Sequence, residues 1–317
     1  MIPIAPYLKE IGRGKNGARS LTQEQAHAVF SAVLDQQVSD LELGAFLMAM
    51  RIKAEAVPEL VGFTQAVHER CTALPVPARP AVVLPSYNGS RRLPNLTALL
   101  AGLLAQKGLP VWVHGPLRDP HRVSTAEIFE ALGWVCTTQA DQIGLAWSRQ
   151  QAVFLPIEVL CAPLARLLSL RWTLGVRSSG HSVAKLINPS PGQPVINVVN
   201  YTHPEYLLNL AAMLQHTQAH AMLLRGTEGE PVADARRQPR LDVYLNGQLQ
   251  NDLSLPLQDG SLSELPQLAS HNDAGSTAEF TQDVLCGKQP VPAPIQIQVD
   301  LLWRASERLQ AGEQPRT

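Results

Sequence analysis

Apolar residues recur at helical spacing through the first seventy or so positions of the chain. Ala26, Val29, Phe30, Val33 and Leu34 form one stripe, and Thr22 with Gln25 three residues later supplies a capping box in front of it. Leu43, Phe46, Leu47, Met50 and Ile52 predict a second helix from about Asp40. Pro58 opens a third, which runs through Leu60, Val61, Phe63 and Val67. The segment Leu74-Pro75-Val76-Pro77-Ala78-Arg79-Pro80 then reads as an extended linker.

Beyond the linker the pattern alternates between strand and helix. Ala81 to Leu84 is a short apolar run of strand type, and Leu96, Leu99, Leu100, Leu103 and Leu104 mark a helix from Asn95 to Gln106. Val111–Val113 and Val153–Leu155 predict further strands, with a helix from Thr125 to Leu132 between them and a helical stretch from Pro163 to Arg171 after them. Pro194 to Val199 and Ala221 to Leu224 are strands flanking a helix from His203 to Gln215. Residues 233–270 predict loops with a short strand at Asp242–Leu245, and a last helix covers Ile295 to Leu309. The expected class is α/β: a small all-helical N-terminal domain over residues 1–75, then a larger α/β domain over 79–317 with a mainly parallel central sheet.

Composition narrows the class without choosing a function. With 317 residues, 45% hydrophobic and 17% charged, the chain can bury a large core as an ordinary globular protein. Cys71, Cys136, Cys161 and Cys286 are widely spaced with no C-x-x-C pair, which predicts free thiols in a reducing cytoplasm and no metal site. The N-terminus does not resemble a signal peptide, and no apolar run is long enough to span a bilayer, so no membrane partner is expected. The net charge of −1 conceals an asymmetry. Residues 51–200 carry 14 Lys and Arg against 8 Asp and Glu, whereas residues 201–317 carry 8 against 14. Local fields of this kind govern partners more than the average does.

The segment of greatest chemical interest is Pro85-Ser86-Tyr87-Asn88-Gly89-Ser90-Arg91-Arg92, where a strand hands over to a helix. A helix start points backbone N–H groups at any bound anion, although the same residues taken alone also make a plain turn. Ser178-Ser179-Gly180-His181-Ser182 offers hydroxyls and amides to an anion, or serves as a hinge. His114 and His181 lie in no nucleophile motif, and no catalytic residue is assigned. For Trp172, core packing is the more common role and stacking on an exposed base the alternative.

Longer spacings point to a family. His114-Gly115 follows the second strand of the α/β region, Arg118, His121 and Arg122 come next, and Glu130-Ala131-Leu132-Gly133 closes the segment eighteen residues after Gly115. This order resembles the anthranilate phosphoribosyltransferase family, whose sequence runs K-H-G-N-R, then a basic, serine-rich loop, then E-A-L-G. The resemblance extends from Leu21 to about Leu309 and puts Asn95, Leu96 and Thr97 on the family's N-I-S, and Pro85 to Ser90 on its G-T-G-G-D-G loop. It puts Arg122 on a phosphate-binding lysine, and matches Leu170-Arg171, Leu174-Gly175, Arg177 and Asn188-Pro189 to the family's own residues, Arg171 falling where relatives hold the aromatic acid. The departures fall on the catalytic parts. The donor loop lacks its acid and most of its glycines, and Pro231-Val232 stand on the Asp-Glu pair that holds Mg²⁺, with Glu228 or Glu230 able to substitute after a local shift.

The same chain gains basic residues. Lys9 to Asn16, Asp40 to Gly44, Arg51-Ile52-Lys53, Pro85 to Gly89 and Arg171 to Arg177 resemble the YbiB group, a divergent branch of this fold regarded as nucleic-acid-binding dimers. That resemblance implies a homodimer through the N-terminal helices that binds single-stranded DNA or RNA and is not an active anthranilate phosphoribosyltransferase. The expected contacts are Lys9, Arg13, Lys15, Arg19, Arg51, Lys53, Arg91, Arg92, Arg171, Arg177 and Lys185, with Tyr87 or Trp172 stacking on bases. Ser86, Tyr87, Asn88, Gly89, Asn95, Thr97, His114 and Arg122 would form a vestigial donor pocket. No cofactor is expected. Mg²⁺ with phosphoribosyl pyrophosphate belongs only to the alternative, a phosphoribosyl- or other glycosyltransferase with an unknown acceptor.

Overall fold

The computed structural model describes residues 3–14, 16–190 and 193–313. The chain begins with α1 (Ala5–Ile11), α2 (Gln23–Leu34), α3 (Asp40–Lys53) and α4 (Val57–His68). Strand β1 (Ala81–Pro85), α5 (Thr97–Gln106), β2 (Val111–Gly115), α6 (Thr125–Ala131), α7 (Ala140–Ser148) and β3 (Val153–Pro156) follow. Four short helices come next: α8 (Ile157–Leu160), α9 (Ala162–Ser169), α10 (Arg171–Leu174) and α11 (Ser179–Ala184). The remainder is β4 (Val195–Tyr201), α12 (Tyr206–His216), β5 (Ala221–Arg225), β6 (Leu241–Leu245), β7 (Gln248–Leu249), α13 (Ala274–Leu285) and α14 (Ala293–Glu313).

These elements form two compact units. One comprises residues 1–72 and 157–189, the other residues 73–156 and 190–317. The helical unit thus takes in α8 to α11, which a linear reading keeps with the α/β domain, because α9 and α11 pack on helices of the N-terminal group.

In the helical unit the capping box predicted for α2 forms. Gln25 N–H donates to Thr22 Oγ1 at 3.2 Å while Thr22 N–H donates to Gln25 Oε1 at 3.0 Å, and Ser39 with Glu42 repeats the arrangement at the start of α3. The apolar stripes meet in a ring cluster. Phe30 stacks on Phe63 with centroids 4.5 Å apart, and Phe46 meets Phe63 edge-on at 5.9 Å. All three rings are fully buried, each contributing about 1.5–3 kcal/mol of transfer free energy. One row on α3 has no such cover within the unit: Leu41 and Ile52 are 84% and 67% exposed, and Met48 is exposed on the same face.

In the second unit seven strands make one sheet in the order β3-β2-β1-β4-β5-β6-β7. The first five are parallel neighbours, and β5, β6 and β7 pair antiparallel. Strands β1 to β4 are buried along their whole length, which accounts for the unbroken apolar runs Ala81–Leu84 and Val111–Val113. At one margin β7 is only two residues long and exposed. At the other, β3 is covered by the segment around Cys136: Thr137 N–H donates to Phe154 O and Phe154 N–H to Val135 O, both at 2.9 Å.

Strand order reverses at β1, which has β2 on one side and β4 on the other. In open α/β sheets the crevice outside the carboxyl ends of the strands at such a point is the usual ligand position. The segment after β1 (Ser86–Arg92), the turn after β2 (from Gly115) and the segment after β5 (Gly226–Glu230) all leave from that end.

Candidate functional site

The segment after β1 folds as a tight loop whose donors point inward. Asn88 N–H and Gly89 N–H both donate to Glu230 Oε1 at 2.8 Å. The other carboxylate oxygen, Oε2, accepts from the Ser86 hydroxyl and from Thr97 Oγ1 at 3.2 Å, with Thr125 Oγ1 at 3.5 Å. Thr97 is the first residue of α5, so the carboxylate sits at a helix start, where partial positive charge favours an anion. The exposure of Glu230 is 1%. Its neighbour Glu228 completes the pattern by accepting the backbone N–H groups of Arg91 at 2.6 Å and Arg92 at 3.0 Å.

Close backbone approach makes this possible. Gly229 lies at φ +87°, and a Cβ on it would overlap the Asn88 side-chain amide, which itself donates to Glu228 O at 3.0 Å. Gly115, at the end of β2, is equally constrained because a Cβ there would overlap the Ser86 carbonyl oxygen.

The rest of the expected donor pocket surrounds this loop. Asn95 Nδ2 donates to Thr125 Oγ1 at 2.9 Å, and its Oδ1 accepts from Thr97 N–H at 3.2 Å. Arg122 Nη1 donates to Gly89 O at 3.3 Å, while Ser90 and Val123 exchange backbone hydrogen bonds at 3.0 and 2.9 Å. Tyr87 is buried within this loop, at 4% exposure. Its hydroxyl bonds His114 Nδ1 at 2.7 Å, and both rings are buried, so Tyr87 offers no face to a base.

Oxygen atoms of Glu230 and Glu228 already face N–H and O–H hydrogens, and Pro231 and Val232 carry no ligand atoms in their side chains. Among the described residues, no three His, Cys, Asp or Glu side chains gather in a way that could hold a metal ion.

The expected nucleic-acid contacts divide by environment. Lys15 lies outside the described residues. Arg13 and Arg19 share one carboxylate, Glu10, at 2.6 and 3.8 Å, next to exposed Lys9. Lys53 is committed to buried Glu59 at 2.6 Å, with its own side chain 8% exposed, whereas Arg51 on the same turn is exposed. Arg91 and Arg92 are exposed at the end of the donor loop.

Three of the expected cations share an electrostatic effect on one buried group. Arg171, Arg177 and Lys185 all act on His181, whose imidazole is pushed down to about 3, first by burial and then by these positive charges, Arg177 foremost. Trp172 is 49% exposed, with the Arg171 guanidinium carbon 4.2 Å from its ring centroid. Core packing, the more common fate of tryptophan, is not what Trp172 does. Its helix, α10, spans only four residues, none of them buried, so Trp172 stays at the surface.

Comparison with known proteins places this arrangement in a family. Residues 5–71 match the helical bundle domain of the glycosyl transferase family. Over 294 residues the chain is 39% identical to the uncharacterized protein YbiB of Escherichia coli (strain K12), covering 92% of this chain and 91% of that protein. The chain belongs to the YbiB family. Other similar proteins are anthranilate phosphoribosyltransferases. The one from Methylobacterium sp. (strain 4-46) is 30% identical over 192 residues, 60% of this chain and 55% of that protein. Among solved structures, the anthranilate phosphoribosyltransferase of Thermus thermophilus superposes with a TM-score of 0.73 at 23% identity, covering 97% of this chain and 90% of that one. The Saccharomyces cerevisiae enzyme in complex with PRPP and Mg gives 0.70 at 14% identity, covering 96% and 89%. This YbiB-family chain therefore has the phosphoribosyltransferase fold, with a small helical region ahead of a largely parallel α/β domain. No helix among its described residues is long and apolar enough to cross a membrane.

Sequence reasoning named Glu230 only as a stand-in metal ligand and missed its bond to the donor loop. A signal was present in the YbiB-family sequence: two acids flanking a glycine directly after a buried strand, opposite a loop that had lost its own acid.

Proposed function

We propose that this chain is a cytoplasmic homodimer that binds single-stranded DNA or RNA on a phosphoribosyltransferase scaffold without acting as an anthranilate phosphoribosyltransferase. The observation that carries the reading is the half-exposed Trp172 ring with the Arg171 guanidinium over it, on a stretch of chain where the charges of Arg171, Arg177 and Lys185 all act on His181. A half-exposed indole gives any base a π-face, worth about 1–3 kcal/mol per stacked base, and the adjoining cations attract the phosphates on either side. Arg51, Arg91, Arg92, Lys9, Arg13 and Arg19 extend the basic character of the two units. The exposed Leu41, Met48 and Ile52 row on α3 supports self-association of the helical unit.

A salt titration of oligonucleotide affinity tests this. If Arg171, Arg177 and Lys185 each neutralise one phosphate, they contribute a slope of about −2 to log K against log salt. Absence of binding at low salt, or binding indifferent to salt, would refute it.

A transferase acting on an unknown acceptor is the second reading, favoured by the similarity to proteins named anthranilate phosphoribosyltransferase. It would hold a phosphoribosyl donor on Ser86, Asn88, Gly89, Asn95, Thr97 and Arg122, with Mg²⁺ alongside. For that, the Glu230 carboxylate must first leave the loop. Calorimetry with phosphoribosyl pyrophosphate and Mg²⁺ separates the two readings, since heat of binding supports the transferase and its absence at millimolar donor opposes it.

A further inference from the structure

The loop from Ser86 to Gly89 has the chemistry of an anion site and already contains an anion. Two backbone N–H groups, Asn88 and Gly89, converge on one oxygen of Glu230, and the hydroxyls of Ser86, Thr97 and Thr125 surround the other. An ionised carboxylate only accepts hydrogen bonds, and these groups are donors, with Ser86 and Thr125 sharing one proton between their hydroxyls at 2.7 Å. The same donors would suit a phosphate oxygen. The carboxylate arrives from 141 positions along the chain from Gly89, on a segment held down by Gly229 and by the Arg91 and Arg92 amides on Glu228.

We propose that Glu230 is a resident ligand of this loop that excludes phosphate and pyrophosphate, and that its removal opens an inorganic-anion site. The carboxylate has the sign of charge and the hydrogen-bond-accepting oxygens of the ligand it displaces. Tethering raises its local concentration well above that of a free anion, so it wins the loop in ordinary solution. A merely structural buried acid would also be hydrogen-bonded, but its loss would leave a collapsed or water-filled gap with no preference for anions.

The test uses inorganic pyrophosphate with the full-length protein, its E230A variant and its E230Q variant, by calorimetry and by thermal melting. The wild-type protein is expected to take up no pyrophosphate at millimolar concentration. E230A is expected to bind it roughly tenfold or more tightly than wild type and to melt higher when it is present. E230Q keeps the volume and loses the charge, so it should fall between the two. Folded E230A with no better affinity than wild type would overturn the proposal. If E230A does not fold, E230Q decides, and unchanged affinity in that variant has the same consequence. Wild-type binding of pyrophosphate with chemical-shift changes at the Asn88 and Gly89 amides would also overturn it. None of these outcomes depends on nucleic-acid binding at Trp172, which is measured separately.

Discussion

Lys53 Nζ lies 2.6 Å from Glu59 Oε2, and the Glu59 side chain is completely buried. The same carboxylate accepts Leu21 N–H at 2.9 Å and Ala56 N–H at 2.8 Å, so it ties the entry of α2 to the junction of α3 and α4. Removing the lysine strands a buried charge. K53A is therefore expected to cost about 3–5 kcal/mol in urea unfolding, with little change in oligonucleotide affinity.

Trp172 should behave in the opposite manner. W172A is expected to weaken single-stranded oligonucleotide binding by about 1–3 kcal/mol, read by fluorescence anisotropy. Because the side chain is half exposed, unfolding should shift by no more than about 0.5 kcal/mol.

Acid should loosen the helical unit. His181 is held down to about 3 and His68 to about 4 by burial, against an ordinary value of 6.5, and His68 Nε2 accepts Asn188 N–H at 2.9 Å. Each ring is neutral when folded and takes up a proton more readily when unfolded, so the unfolded state binds more protons below the ordinary value. Stability then rises with pH across the interval from about 4 to 6.5 and falls as the pH is lowered through it. The loss approaches about 3 kcal/mol per histidine at pH 4. Urea unfolding at a series of pH values should show this slope, and H68N should reduce it.

At the crossover of the sheet, G115A is expected to be destabilising by about 1–3 kcal/mol or more, because the added methyl overlaps the Ser86 carbonyl oxygen. Differential scanning calorimetry would register this as a lower melting temperature. An unchanged value would mean that the loop after β1 yields easily.

Self-association should depend on α3. Replacing Leu41 and Ile52 together by Asp is expected to convert the proposed dimer to a monomer in sedimentation experiments while leaving helix content unchanged.

Much of this architecture was legible where apolar spacing carried it. Leu96 to Leu104 announced α5, the Ala81 and Val111 runs announced buried parallel strands, and Thr22-Gln25 announced α2. Helix α13 was not legible, because its buried face is written partly in Thr277 and Thr281 and its sequence opens with Ala274-Gly275-Ser276-Thr277, poor in helix formers beyond alanine. Its start depends on Asp273, whose side chain accepts Ser276 N–H at 2.8 Å. Helix α7 carries only two buried residues, Ile143 and Ala146, too few to show a period. Within the site, the phosphate-type loop could be located from strand and helix signals. Its occupant could not, since the contact between Gly89 and Glu230 depends on a strand order that sets β1 and β5 on either side of β4, and it leaves no periodic trace.

The margins of the sheet bear on how the protein behaves at high concentration. An open strand is a template on which another chain can grow, and fibrous or amorphous aggregates begin there. Here β7 offers only Gln248 and Leu249, and the segment from Val135 to Thr137 already occupies the flank of β3. Strand-to-strand growth thus has little purchase at either side, and the colloidal behaviour of the protein should follow its helical surface.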